Sequence, residues 1–271
     1  MRTAGKGGRR SPKRAKAIPF SAIRKPGIPQ HPPYADYLAH LGGQWNMLGN
    51  DTAGDCVSVT WANERRLVTA TLTNRTEYPS LAQVYQFYRT QNPQFDPNGT
   101  AENNGPGSIY DNGMDIQTAL EDLHKNGGPD GVKLVAFATV DHRNPEEVKA
   151  AIATFGSVWT GINVYENNQQ EFSDEVPFDY NPHSPLDGGH SVITGGYGKT
   201  INLSVPLSGD EKFITWAEET SFTDYYWNMG VEEAWVAIWP EHSGTRSFQQ
   251  GVDKAKLAAA YKQITGQSFA F

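Results

Sequence analysis

The chain has 271 residues, 38% of them hydrophobic, which suffices for a real core in one large domain or two small ones. A single cysteine excludes an intramolecular disulfide framework and a multi-cysteine zinc site, and the absence of an apolar run of about 18 residues argues against a membrane span. The net charge of −7 is unevenly spread: residues 1–25 carry nine basic side chains and no acid, so the remainder is strongly acidic.

That basic start is not followed by an apolar stretch, which argues against a secretory signal and favours a cytoplasmic or virion-associated location. Pro26, Pro29, Pro32 and Pro33 make the next residues extended, so residues 1–30 read as a basic, extended arm. A basic arm on an acidic body suggests contact with an anionic surface, either a polyanion such as nucleic acid or an assembly partner. Residues 55–72 read as a helix, with Val57, Trp61, Arg65 and Val68 at helical spacing and Asp55 as its cap. Ser80-Leu-Ala-Gln83 has the form of a capping box opening a second helix. Residues 91–113, rich in Asn, Gly, Pro and Asp, read as a long loop without the regular spacing of a calcium site.

Asp115–Lys125 reads as a third helix stopped by Gly127-Gly128, and Val132–Val140 as a strand. Asn144-Pro145-Glu146-Glu147 opens a helix to Phe155, with proline at the first helical position and acids complementing the dipole. Strands are expected at Val158–Val164, His190–Gly196, Lys212–Trp216 and Ala234–Trp239, and an amphipathic helix at Asp253–Ile264. Helices dominate the first half and strands the second, an α+β pattern: residues 31–130 mainly helical, 131–240 mainly β, 241–271 a helical tail. His31, His40, His124, His142, His183 and His242 have no metal-ligand spacing and read as surface or loop residues; Phe222, Tyr225, Tyr226 and Trp227 read as packing.

The lone Cys56 begins a helix, and His190 begins the strand His190-Ser-Val-Ile-Thr-Gly-Gly-Tyr-Gly198 far downstream. A helix N-terminus and an imidazolium both favour a thiolate, so this pair can form a nucleophilic site. With Asn50 six positions and Gly54 two positions before the cysteine, residues 44–239 resemble the papain-like cysteine peptidases. The segment Trp45-x-Met-Leu-Gly-Asn-Asp-x-x-Gly-Asp-Cys56 is also similar to a set of bacterial and phage proteins of no established function.

The resemblance implies a helical subdomain with a central helix, packed beside an antiparallel sheet or barrel. It also implies Cys56 as nucleophile, His190 as general acid and ion-pair partner, and Asn50 as an oxyanion donor, with neither metal nor organic cofactor. The asparagine that orients the histidine in that family has no counterpart, since alignment puts Ile214 at its place; Glu218, Glu219 and Thr220 are the candidates, or no residue at all. Asp55, charged beside a thiolate, would raise the cysteine pKa. Two functions follow: a thiol hydrolase acting on a peptide or protein substrate through an acyl-enzyme, or a non-catalytic structural protein, such as a phage virion component, that keeps the fold and assembles through its arm.

Overall fold

The computed structural model describes residues 8–9, 17–26, 31–198 and 211–265. The boundary expected near Gln30 and most of the arm's basic positions lie outside the described residues. The elements run in chain order as β1 (Gly8–Arg9), α1 (Phe20–Ile23), β2 (Ala35–Asp36), α2 (Cys56–Leu72), α3 (Leu81–Tyr88), β3 (Met114–Asp115) and α4 (Ile116–Lys125). They continue with β4 (Ala136–Val140), α5 (Pro145–Phe155), β5 (Val158–Tyr165), α6 (Glu166–Ser173), β6 (Leu186–Tyr197), β7 (Glu211–Thr215) and β8 (Glu218–Phe222). The last are α7 (Asp224–Gly230), β9 (Val231–Ile238), α8 (Arg246–Gly251) and α9 (Lys254–Thr265).

Local chemistry accounts for most helix ends. Ser80 and Gln83 form the reciprocal capping box expected for α3. Asp115 accepts from the Thr118 N–H at the start of α4, and Asn144 does the same from Glu147 ahead of Pro145 in α5. Gly156 stops α5 at φ 89°, a left-handed conformation that glycine adopts without a Cβ clash. Helix α2 behaves differently. Every residue from Cys56 to Thr69 is buried, so its sequence has no polar face and little amphipathic contrast.

Six strands form an antiparallel sheet in the order β4-β9-β5-β6-β7-β8, and β2 adds to the far end of β6. Alternate residues along each strand enter two separate cores. Val192, Phe213, Val236 and Ile238 pack with α5 and α9 on one side. Ile193, Ile214, Trp159, Trp235 and Trp239 pack with α2, α3 and α4 on the other. The α+β arrangement expected from the sequence is therefore present, with α2 buried between the helical half and the sheet.

Several features differ from the sequence reading, including the strand β8 and the helix α7, which were not expected. Part of the arm is core: Ile18, Phe20 and Ile23 are buried, and the Ile18 and Ile23 carbonyls accept from the Thr139 and Asp253 N–H groups. These few apolar residues suffice because α1 packs them against α5, β4 and α9. Helix α6 forms in a polar stretch because Asn168 is buried, accepting from the Tyr165 N–H while its amide donates to Glu171 and the Asp179 carbonyl. His242 is a buried residue and not a surface one: Nδ1 accepts from the Trp239 N–H, and Nε2 bonds the Phe155 carbonyl at 3.0 Å.

Candidate active site

Cys56 is the first residue of α2 and is 1% exposed. The first N–H groups of a helix have no intrahelical acceptor and carry the positive end of its dipole, so a thiolate is favoured there. The preceding loop is held by a tight turn with Leu48 at φ 53° and Gly49 at φ 92°. A Cβ on Gly49 would lie 2.4 Å from the Tyr85 hydroxyl and 3.0 Å from Asp55 Oδ2, so glycine is required there for packing as well as for φ. This turn brings Asn50 back over the helix start, where its Nδ2 donates to Asp55 Oδ1 at 3.2 Å. Asn50 and Asp55 are both buried. Gly54 is fixed by donating its N–H to Asp111 Oδ1 at 2.9 Å, and Tyr88 donates its hydroxyl to the same oxygen.

His190 lies on β6, which packs along α2. One turn beyond Cys56, Thr60 and Ser191 share a hydroxyl hydrogen bond of 2.9 Å, which ties the helix to the strand residue next to His190. The imidazole is 2% exposed. Its Nε2 is 2.8 Å from Thr215 Oγ1, and its ring stacks on Trp216 with centroids 5.1 Å apart. Its Nδ1 is buried and has no hydrogen-bond partner among the described residues.

Thr215 and Trp216 come from the end of β7. The turn to β8 consists of Trp216 and Ala217, both left-handed at φ 44° and 68°. A two-residue hairpin with positive φ at both positions ordinarily selects Asn or Gly. Tryptophan and alanine carry a steric cost there, and the indole is thereby laid over the histidine.

Burial acts on the charges of the site. It lowers His190 to about 3, so the imidazole is neutral at pH 7, and desolvation opposes the ion pair expected from the sequence. Burial also pushes the Asp55 carboxyl well above its usual range; the bond from Asn50 opposes this, while Asp111 and Asp51 add to it. Burial thus disfavours the charged carboxylate, which reduces the expected penalty of a carboxylate beside the thiolate. Asp55 also makes no side-chain capping bond to α2, contrary to the capping role expected from its position. Among the described residues, no group of three or more His, Cys, Asp or Glu side chains could hold a metal ion.

A second polar cluster lies two turns along the same helix. Glu64, 1% exposed, accepts from Trp159 Nε1 at 2.6 Å, Trp239 Nε1 at 2.7 Å and Ser157 Oγ at 3.2 Å. Burial raises its pKa to about 7, against the pull of these three bonds and of Arg65. Arg65 in turn pairs with Asp130 at 2.7 Å and Glu241 at 2.8 Å.

No family model and no curated protein sequence matches the chain. Solved structures do match. Xylellain, a cysteine protease from Xylella fastidiosa, is 16% identical with a TM-score of 0.57, over 88% of this chain and 97% of that one. ProCathepsin B S9 from Trypanosoma congolense is 11% identical with a TM-score of 0.59, over 87% and 86%. Digestive procathepsin L 3 of Tenebrio molitor is 13% identical with a TM-score of 0.55, over 87% and 76%. The fold is papain-like.

Within the papain-like fold the partner of His190 is Thr215, which was not among the candidates Glu218, Glu219 and Thr220. Glu219 instead accepts from Trp45 Nε1 at 3.0 Å, Glu218 pairs with Thr215 across the hairpin, and Thr220 pairs with Phe213. Strand parity could have found it. Ile193 pairs with Ile214, so Thr215 falls opposite Val192, on the face of β6 that also carries His190. A threonine hydroxyl both donates and accepts, so it can serve Nε2 in either neutral tautomer and in the imidazolium.

Proposed function

We propose that the chain is a thiol hydrolase that cleaves a peptide or amide bond through an acyl-enzyme. The observation that carries this reading is the state of His190: one ring nitrogen is anchored by Thr215 and the other is buried without a partner among the described residues, on a strand bonded to the helix that Cys56 opens. A histidine kept for packing alone would have both nitrogens satisfied, as His242 has.

In the proposed reaction Cys56 Sγ attacks the substrate carbonyl carbon and its proton passes to His190 Nδ1. The carbonyl oxygen becomes an oxyanion, stabilised by the Cys56 N–H and by the Asn50 amide hydrogen not engaged with Asp55; such a donor contributes about 3 kcal/mol. His190 protonates the leaving amine as the C–N bond breaks and a thioester forms. Water, deprotonated by His190, then attacks the thioester and releases the acid and the thiol. Thr215 accepts from Nε2 while the imidazole is charged.

The test is alkylation of Cys56 by iodoacetamide, with turnover of a fluorogenic peptide library, in wild type and in Cys56→Ala and His190→Ala. Turnover by wild type alone, and alkylation at pH 6 faster than for a thiol of ordinary pKa, about 8.5, is the expected result. Alkylation no faster than in the unfolded chain, with no turnover, would sink this reading.

The burial of both Cys56 and His190 favours a second reading, a non-catalytic protein that retains the fold and uses its basic N-terminal segment in assembly. Its expected signature is salt-sensitive binding to a polyanion or a partner, undiminished in Cys56→Ala.

A further inference from the structure

We propose that Asp55 is a positioning residue for the oxyanion side of the site, its Oδ1 orienting Asn50 so that the remaining amide hydrogen faces the carbonyl oxygen of a substrate at Cys56. This inference rests on the hydrolase reading above.

The case begins with what Asp55 does not do. It stands at the N-cap of α2, where an aspartate usually accepts from the second or third N–H of the helix, yet its side chain makes no such bond. It forms no ion pair with a described residue, and the charged groups facing it, Asp111 and Asp51, are of like sign. Its Oδ2 is buried without a hydrogen-bond partner among the described residues, a defect that ordinarily costs about 1–3 kcal/mol. A carboxyl that is buried, makes no cap and leaves one oxygen unpaired is a cost to the fold, so stability alone does not account for aspartate.

What Asp55 does is hold Asn50. The bond from Nδ2 to Oδ1 is 3.2 Å long, both side chains are buried, and the left-handed turn at Leu48-Gly49 delivers Asn50 to that oxygen. The Tyr85 hydroxyl and Asp55 Oδ2 both crowd the place a Cβ on Gly49 would take, so the glycine is needed for the turn to reach Asp55. A primary amide has two hydrogens on one nitrogen, in a plane fixed by the amide. Occupying one of them sets the direction of the other. A carboxyl whose burial disfavours its charged form is a suitable acceptor, because it fixes the amide while limiting the negative charge beside the developing oxyanion and the thiolate.

The experiment uses the full chain and a peptide substrate found by the library above. Asp55→Ser removes the buried carboxyl and withdraws the acceptor from Asn50; the relieved desolvation offsets the lost bond, so the variant should melt close to wild type. Its kcat should fall about 10–100-fold with KM within about twofold, because the lost interaction acts in the transition state. Asp55→Asn keeps a carbonyl acceptor at the same reach and should restore kcat to within about threefold of wild type. Asn50→Ala should lose kcat, and Asp55→Ser added to it should cost nothing more.

Additive losses in the double variant, unchanged kcat in Asp55→Ser, or Asp55→Asn as poor as Asp55→Ser would each overturn the inference while leaving the hydrolase reading intact. Wild-type protein without turnover would overturn both. If Asp55→Ser fails to fold, the residue is structural and the inference is equally overturned.

Discussion

Helix α2 carries two buried polar clusters, and they are finished differently. Around Glu64 the carboxylate accepts three hydrogen bonds, all from the sheet half. At the start of the helix, Asp55 Oδ2 and His190 Nδ1 are buried with no partner among the described residues. Both clusters carry the cost of desolvation; the Glu64 carboxylate recovers it through three bonds, although Arg65 Nη1 and Glu241 Oε2 beside it are buried with no partner among the described residues. The difference lies in the central group: Glu64 is saturated, whereas His190 and Asp55 each keep one open atom at the start of the helix.

The contrast can be tested most strongly by removing one member from each cluster. His190→Ala should reduce turnover by about 10²–10⁴-fold, the usual contribution of a general acid–base, while shifting the melting temperature little. Peptide turnover and calorimetry on the same sample measure the two quantities. Glu64→Ala should do the reverse, destabilising the fold by about 3 kcal/mol or more because two indole N–H groups and a hydroxyl lose their acceptor. Denaturant unfolding gives that value; a loss below about 1 kcal/mol would mean that the second cluster is not structural.

The pH dependence sharpens the same point. Glu64 has a folded pKa raised from 4.5 to about 7, so the folded state binds its proton more tightly than the unfolded state. Its contribution to stability is present in full below the unfolded value and is lost as pH rises to about 7, a change of about 3 kcal/mol. Glu64→Gln cannot ionise and should flatten stability between pH 4.5 and 7, as read from chemical unfolding at fixed temperature.

Smaller effects are expected at the β7–β8 hairpin. Thr215→Val removes the partner of His190 Nε2 and should lower kcat about tenfold with KM unchanged, while Thr215→Ser should retain activity. Ala217→Gly relieves one left-handed residue and should stabilise the protein by a few tenths to about 1 kcal/mol. If Ala217→Gly is destabilising, the turn is not strained as its φ angles indicate.

What the sequence revealed divides along physical lines. Features written within a few residues were legible: the start of α2 at Cys56, the Ser80–Gln83 box, the Asn144-Pro145 opening and the strand that carries His190, although it begins at Leu186 and not at the histidine. Features that depend on distant partners were not. Glu64 meets indoles 95 and 175 positions away, and nothing in Asn63-Glu64-Arg65-Arg66 announces that it is buried. Thr215 required the register between β6 and β7, which the bulge after Thr194 obscures. The acidic run Glu218-Glu219 looked like a set of candidates for orienting the histidine, but it forms a new strand and a brace for Trp45. The raised pKa of Asp55 arises from burial, which no local pattern encodes.

The spacing of the polar residues on α2 has a mechanical consequence. Thr60 bonds β6, Glu64 bonds β5 and the end of β9, and Arg65 bonds Glu241 just beyond it. The helix is thus keyed to the sheet at successive turns, about 5.4 Å apart along its axis. Sliding one half past the other by a fraction of a turn would break every key together, so shear along this helix is blocked. Under the proposed hydrolase reading, access to Cys56 is therefore expected through the loops around the helix start, with the keyed segment staying in place.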